Sequence, residues 1–230
     1  MAVIEAWSFT LEVPEVEKGI EFYQTAGLVP TVRGMTVRLT CPGQRHASIV
    51  LVGGAKAKRL HHITLRADGL PEVARAVVAN GGSVVAPPPG CDDDGLWVRD
   101  PHGMCIHLVD VDAEPALTVA DEFAINAPGR IVRQGRPAIR PIASYDAVRP
   151  LRLGHILLFT PDVPKSVAFM TGALGMGLAD YAGEIIAFCC ARKGSDHHVV
   201  AFAKSQGVGL HHGSFQVADP DQVVVDVAEV

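Results

Sequence analysis

An internal repeat constrains this chain more than any other feature. The segment RLHHITLRAD at 59–68 returns as GLHHGSFQVA at 209–218, and each copy is followed by a Pro-bearing, Val-containing stretch. Other features recur at nearly the same offset. His46 before ASIV matches His198 before VVAF, and PEVEKGIEF at 14–22 matches PDVPKSVAF at 161–169. A unit written twice in this way folds as two like modules. The chain's 230 residues allow each module about 100, enough to bury a core.

Each copy reads as a strand, a helix and then several strands. In the second, the apolar run Leu153 to Phe159 suits a buried strand, and Thr160, Pro161 and Asp162 supply capping and first-turn residues for a helix. Val163, Val167, Met170 and Leu174 recur at helical spacing, and Gly175 ends that helix. Val16, Ile20 and Tyr23 trace the same face in the first copy. Strands are expected at Ile185 to Cys190 and His198 to Phe202, then through His211 and His212, followed by the start of a second helix. The first copy continues with a helix near Pro71 to Asn80, a Pro-Pro-Pro-Gly turn from Pro87, a strand at Leu96 to Arg99 and a closing strand at Met104 to Val109. These elements define an α+β chain with an N-terminal module at 1–112, a connector at 113–150 and a C-terminal module at 151–230. The connector is rich in proline and is expected to wrap the surface, with Phe123, Ile125 and Ile131 packed rather than solvated.

Composition excludes several classes of function. A formal net charge of −5 without any Lys/Arg-rich run argues against nucleic acid or an anionic membrane as the main partner. No apolar stretch approaches the roughly 20 residues of a membrane span, and the N-terminus lacks a signal-peptide pattern, so a cytoplasmic protein is expected. The five cysteines (Cys41, Cys91, Cys105, Cys189, Cys190) are odd in number and lack zinc-type spacing, which fits reduced thiols.

The chemistry concentrates in the second half. Five of the ten histidines (His155, His197, His198, His211, His212) lie there, and neutral imidazole is the commonest ligand for a catalytic transition metal. Strict strand alternation puts only one of His211 and His212 on the concave face of a sheet, and the same holds for His197 and His198. The short KSQGVG link between their runs suggests a hairpin that brings His198 beside the site without making it a ligand. Glu184 follows Gly183 at a strand opening and is expected to be solvated.

The twinned βαβββ modules and these histidine positions resemble the vicinal oxygen chelate superfamily, and within it the two-module type I extradiol dioxygenases. The segments from Arg149 to His155 and from Leu210 to Phe215 carry the specific likeness. The resemblance implies two curved mixed sheets with helices outside, an inert first module as scaffold without metal, and Fe(II), with Mn(II) as the alternative, in the second. It further implies that His155 and His212 are metal ligands and that His198 is a catalytic acid/base that does not bind the metal. The substrates implied are a small aromatic diol and O2, and a homo-oligomer is expected on the same ground. His155 corresponds to Ser8, and the family's carboxylate position to His107, which leaves His62 without its usual companions. His46, His61 and His62 are then core or surface residues kept by duplication, and His197 and His211 are structural.

The repeat also indicates a missing part. In the first copy the closing strand follows His62 by about 45 residues, so its counterpart falls near position 257, past Val230. The second module is therefore expected to be incomplete here, with the family's Glu ligand on a strand further on. The pocket wall is expected near Cys189 and Phe202. Two rival functions remain open. One is a glyoxalase-like isomerisation using Zn or Ni; the other is a non-catalytic ligand-binding protein of the same fold.

Overall fold

The computed structural model describes residues 2–92, 94–114, 128–129, 131, 148–192 and 194–218. Strand β1 (Val3–Glu12), helix α1 (Val16–Thr25) and strands β2 (Val29–Arg33), β3 (Thr36–Thr40) and β4 (Ile49–Val52) form one βαβββ unit. A second follows at once, made of β5 (Arg59–Ala67), α2 (Leu70–Ala79), β6 (Ser83–Val84), β7 (Leu96–Arg99) and β8 (Cys105–Val109). A third comprises β9 (Arg152–Thr160), α3 (Val163–Leu174), β10 (Gly177–Ala182), β11 (Ile186–Cys190) and β12 (Val200–Lys204), after which comes β13 (Gly209–Gln216). The first module is thus itself a pair of βαβββ units, joined edge to edge in an eight-stranded sheet ordered β2-β3-β4-β1-β5-β8-β7-β6. The second sheet runs β10-β11-β12-β9-β13. Both are mixed, with β1 parallel to β4, β5 parallel to β8 and β9 parallel to β12.

The expected hairpin between β12 and β13 does not form. Strand β12 already has β11 on one side and β9 on the other, so β13 can pair only with the free side of β9. The link rounds the end of β9, where the Ser205 N–H donates to the Thr160 carbonyl at 2.8 Å. His197 and His198 lie in the loop before β12 rather than in the strand.

Helix α3 begins and ends where its residues require. The Asp162 carboxylate accepts the Lys165 N–H at 2.9 Å, and Gly175 closes the helix at φ +65°. Val163, Phe169, Met170, Ala173 and Leu174 are buried along its inner face. Its counterpart α1 has no side-chain cap and no buried residue. One continuous core includes residues of both modules, with Phe9, Val77, Leu153 and Phe169 in the same cluster. At the seam β13 passes so close to β1 that a Cβ on Gly213 would lie 2.5 Å from the Phe9 ring.

Of the connector, only residues 113–114, 128–129, 131 and 148–150 are described; Phe123, Ile125 and the helix expected after β13 lie outside the described residues. Ile131 is 67% exposed, contrary to the expected packing. Val148, at the other end of the connector, is by contrast buried, and Glu114 accepts the backbone N–H groups of Arg45 and His46 at 3.1 and 3.0 Å. All five cysteines are free. No helix among the described residues is long and apolar enough to cross a membrane.

Because Phe9 is 1% exposed and fixed in the core, Gly213→Val forces that ring to move. Overpacking of this kind costs about 2 kcal/mol, to be read as a lower urea midpoint, and Phe9→Leu in the same chain should restore part of it.

Candidate metal centre

Two β-bulges build the site. On β9, Ser214 pairs with His155 and Phe215 with Leu153, which leaves Gly154 as an extra residue directly before His155. On β13, Leu210 pairs with Leu158 and His212 with Leu157, which leaves His211 as an extra residue directly before His212. A bulge breaks alternation and re-aims the side chain that follows it. Here the two re-aimed imidazoles converge, with Nε2 of His155 and Nε2 of His212 3.2 Å apart.

That separation matches what a metal needs. Two nitrogens bound at about 2.1 Å and at right angles stand about 3 Å apart, the geometry of neighbouring positions in an octahedral two-histidine, one-carboxylate site. Both imidazoles are held neutral, the form that binds metal. Burial, then His198 and His212, push the His155 pKa down to about 4; burial, then His211, lowers that of His212.

The bulge also corrects the expectation that His211 faces away. The Nδ1 atoms of His211 and His212 are 2.8 Å apart, and His211 also lies against the Phe159 ring at 4.9 Å. Likewise His197 and His198 touch through Nδ1 at 3.1 Å, because both sit on an irregular loop where no alternation operates.

His198 reaches the site from that loop, its ring centroid 4.2 Å from that of His155. Burial, then His197, lower its pKa. The loop is clamped by a pair that spacing alone does not reveal. Both terminal nitrogens of Arg152, at the start of β9, donate to the Asp196 carboxylate at 2.8 and 2.9 Å, while Arg152 Nε donates to Gln216 Oε1 at 2.7 Å. This bidentate pair ties β9, β13 and the His198 loop together. Phe188 packs against the His198 ring at 4.9 Å and walls the site, whereas Cys189 and Phe202 are fully buried in the core on the other side. Glu184 is exposed and stands 4.0 Å from Lys204, as expected of a solvated residue.

The first module repeats both bulges, at Trp7 before Ser8 and at His61 before His62. Ser8 offers no imidazole, so His62 Nε2 meets Thr10 Oγ1 at 3.2 Å instead. His107, beside Thr64 on β8, stacks on Trp97 and bonds the Asp94 carbonyl at 2.8 Å. In the second sheet the edge of β13 next to Ser214 is the place that β8 fills in the first. Among the described residues no third His, Cys or carboxylate joins His155 and His212 in a metal-ligating group.

Residues 152–227 match the model of the Glyoxalase/Bleomycin resistance protein/Dioxygenase superfamily. Over 217 residues the chain is 30% identical to metapyrocatechase 2 of Cupriavidus necator, spanning 94% of this chain and 66%, just under two thirds, of that protein. A Mn(II)-bound glyoxalase from Novosphingobium aromaticivorans superposes with a TM-score of 0.75 at 21% identity, covering 99% of this chain and 70% of that one. The 2,3-dioxygenase LapB from Pseudomonas sp. KL28 gives 0.71 at 21% identity, covering 98% and 79%. The likeness to the solved structures is one of fold.

Since the folded pKa of His155 lies near 4 and its unfolded value near 6.5, the unfolded chain binds more protons between those limits. The contribution of His155 is therefore fully present above about pH 6.5 and is lost as the pH falls toward 4. Denaturation midpoints of the metal-free chain should fall across this window, with a shallower slope in His155→Phe.

Proposed function

We propose that the chain is a member of the Glyoxalase/Bleomycin resistance protein/Dioxygenase superfamily, whose model matches its residues 152–227, and that its protein is an extradiol dioxygenase, opening an aromatic diol ring beside the hydroxyl pair with O2. The observation that carries this reading is the meeting of two neutral imidazole nitrogens from separate strands at 3.2 Å. His155 and His212 hold Fe(II) through Nε2, with Mn(II) as the alternative. The third ligand is a carboxylate on a strand paired with the edge of β13 that no other described strand occupies, at the position His107 occupies beside Thr64 in the first module. The bound metal supplies Lewis acidity toward the diol hydroxyls and a path for electron density to O2.

The remaining roles belong to the chain itself. His198, neutral near pH 7 because burial lowers its pKa, accepts a hydroxyl proton from the diol and later returns it. The Arg152–Asp196 pair holds the loop that aims it. Phe188 shields one side of His198 from water. Ser8 and His107 stand where a glyoxalase-like site shared between paired modules draws ligands, and they do not reproduce its set, which favours the dioxygenase reading.

The test is to load the full-length protein with Fe(II) without oxygen, then add a catechol and O2. A yellow ring-fission product is expected, and its absence with several 3-substituted catechols favours the isomerase or the non-catalytic binder. His155→Ala and His212→Ala should each abolish iron uptake. His198→Ala should retain iron while turnover drops by about 10²–10⁴; loss of iron in that variant contradicts its role as a non-ligand.

A further inference from the structure

The first module holds a second cluster of ligating groups. The ligand atoms of His61, His62 and Cys91 all lie within 4.8 Å of one another, the only such group of three among the described residues. The bulge on β5 places both histidines together, their Nδ1 atoms 2.7 Å apart, and His62 is only 7% exposed. Cys91 comes from the turn after the three prolines, where Gly90 takes φ +82° and the Cys91 N–H donates to the Pro88 carbonyl at 3.0 Å. The loop beyond is pinned to the sheet. Trp97 Nε1 donates to the Asp92 carbonyl at 3.1 Å, and His107 Nε2 bonds that of Asp94 at 2.8 Å. Cys91 is thereby held over the histidine pair, beside a cavity of about 270 Å³ lined also by Ser8, Thr10 and Trp97.

We propose that His61, His62 and Cys91 form a binding site for a zinc-class divalent cation, with a fourth coordination position open to this cavity. Two imidazoles and a thiolate select a borderline-soft metal over magnesium or calcium, and three protein ligands with one open position is a common zinc arrangement. Donor atoms around a tetrahedral zinc stand about 3.3–3.8 Å apart, so the set closes when the Cys91 side chain moves in by about 1 Å and the two Nδ1 atoms, 2.7 Å apart, spread by about 0.6 Å. The Thr10 hydroxyl engages His62 Nε2, which leaves Nδ1 for the metal and provides the outer hydrogen bond that ligating histidines commonly have. Cys91 is a thiol in the absence of metal, its pKa raised by burial, Cys105 and Asp92. Cation entry therefore releases the Cys91 proton to solvent, and the proton shared between the two Nδ1 atoms moves to an Nε2. The assignment is independent of the second-module centre.

The test uses the whole chain carrying His155→Ala and His212→Ala, which removes the other centre, with Co(II) as a spectroscopic stand-in for zinc. A single bound equivalent with a thiolate-to-cobalt charge-transfer band is expected, together with release of one proton and displacement by Zn(II). Cys91→Ser should lose the band. In the unsubstituted chain, Zn(II) should slow alkylation of Cys91 as read by mass spectrometry. A missing band, a band that survives Cys91→Ser, or unchanged alkylation overturns the site.

Discussion

The convergence of His155 and His212 depends on the two bulges that interrupt the β9–β13 ladder. In regular antiparallel pairing, neighbouring residues on one strand point to opposite faces, and the adjacent His211 and His212 could not touch. One unpaired residue on each strand changes that. Gly154 and His211 each shift the chain by one position, and the residue after each is turned toward the same point. The distance of 3.2 Å between the Nε2 atoms is set by backbone pairing, which is stiffer than any loop.

The same two bulges in the first module show what duplication kept and what it released. The backbone irregularities at Trp7 and His61 match those at Gly154 and His211, whereas the side chains diverged. Where the second module has His155 and Leu157, the first has Ser8 and Thr10. Leu157 offers His212 no hydrogen bond, so that imidazole is free to meet His155; Thr10 offers His62 one, and the ring takes it. Two differences on the opposing strand, Ser8 for His155 and Thr10 for Leu157, thus accompany the redirection of an imidazole while the fold stays the same.

The sequence made the duplication and the two ligand candidates legible because both rest on residue identity at a fixed offset. The strand bounds of β7, the α3 cap at Asp162 and the Gly175 stop were equally readable, since capping and turn chemistry are local. What stayed hidden depends on pairing. A bulge leaves no mark in a run such as LHHGSF, and whether β13 joins β12 or β9 depends on which side of each strand is already occupied. The edge strands β2, β6 and β10 were obscure because they are mostly exposed and carry little apolar alternation. Arg152 and Asp196 are 44 residues apart, so their clamp on the His198 loop emerges only once β9 and that loop are neighbours. The closeness of Cys91 to His61 and His62 was hidden for the same reason, since Cys91 comes from a turn rather than from a strand of the repeat.

The histidine neighbours then acquire a specific meaning. Between His155 and His212 a direct Nε2 contact holds one shared proton, which fixes one ring as donor and the other as acceptor. A cation at that point requires both Nε2 atoms to be bare, so the His212 proton must reside on Nδ1. The acceptor for it is in place, since His211 Nδ1 stands 2.8 Å away. In the proposed centre His211 would therefore set the tautomer of His212, as Thr10 would for His62 in the first module. The bulge that aims His212 supplies its hydrogen-bond partner from the extra residue itself, which gives the paired histidines of β13 two distinct tasks in the proposed centre.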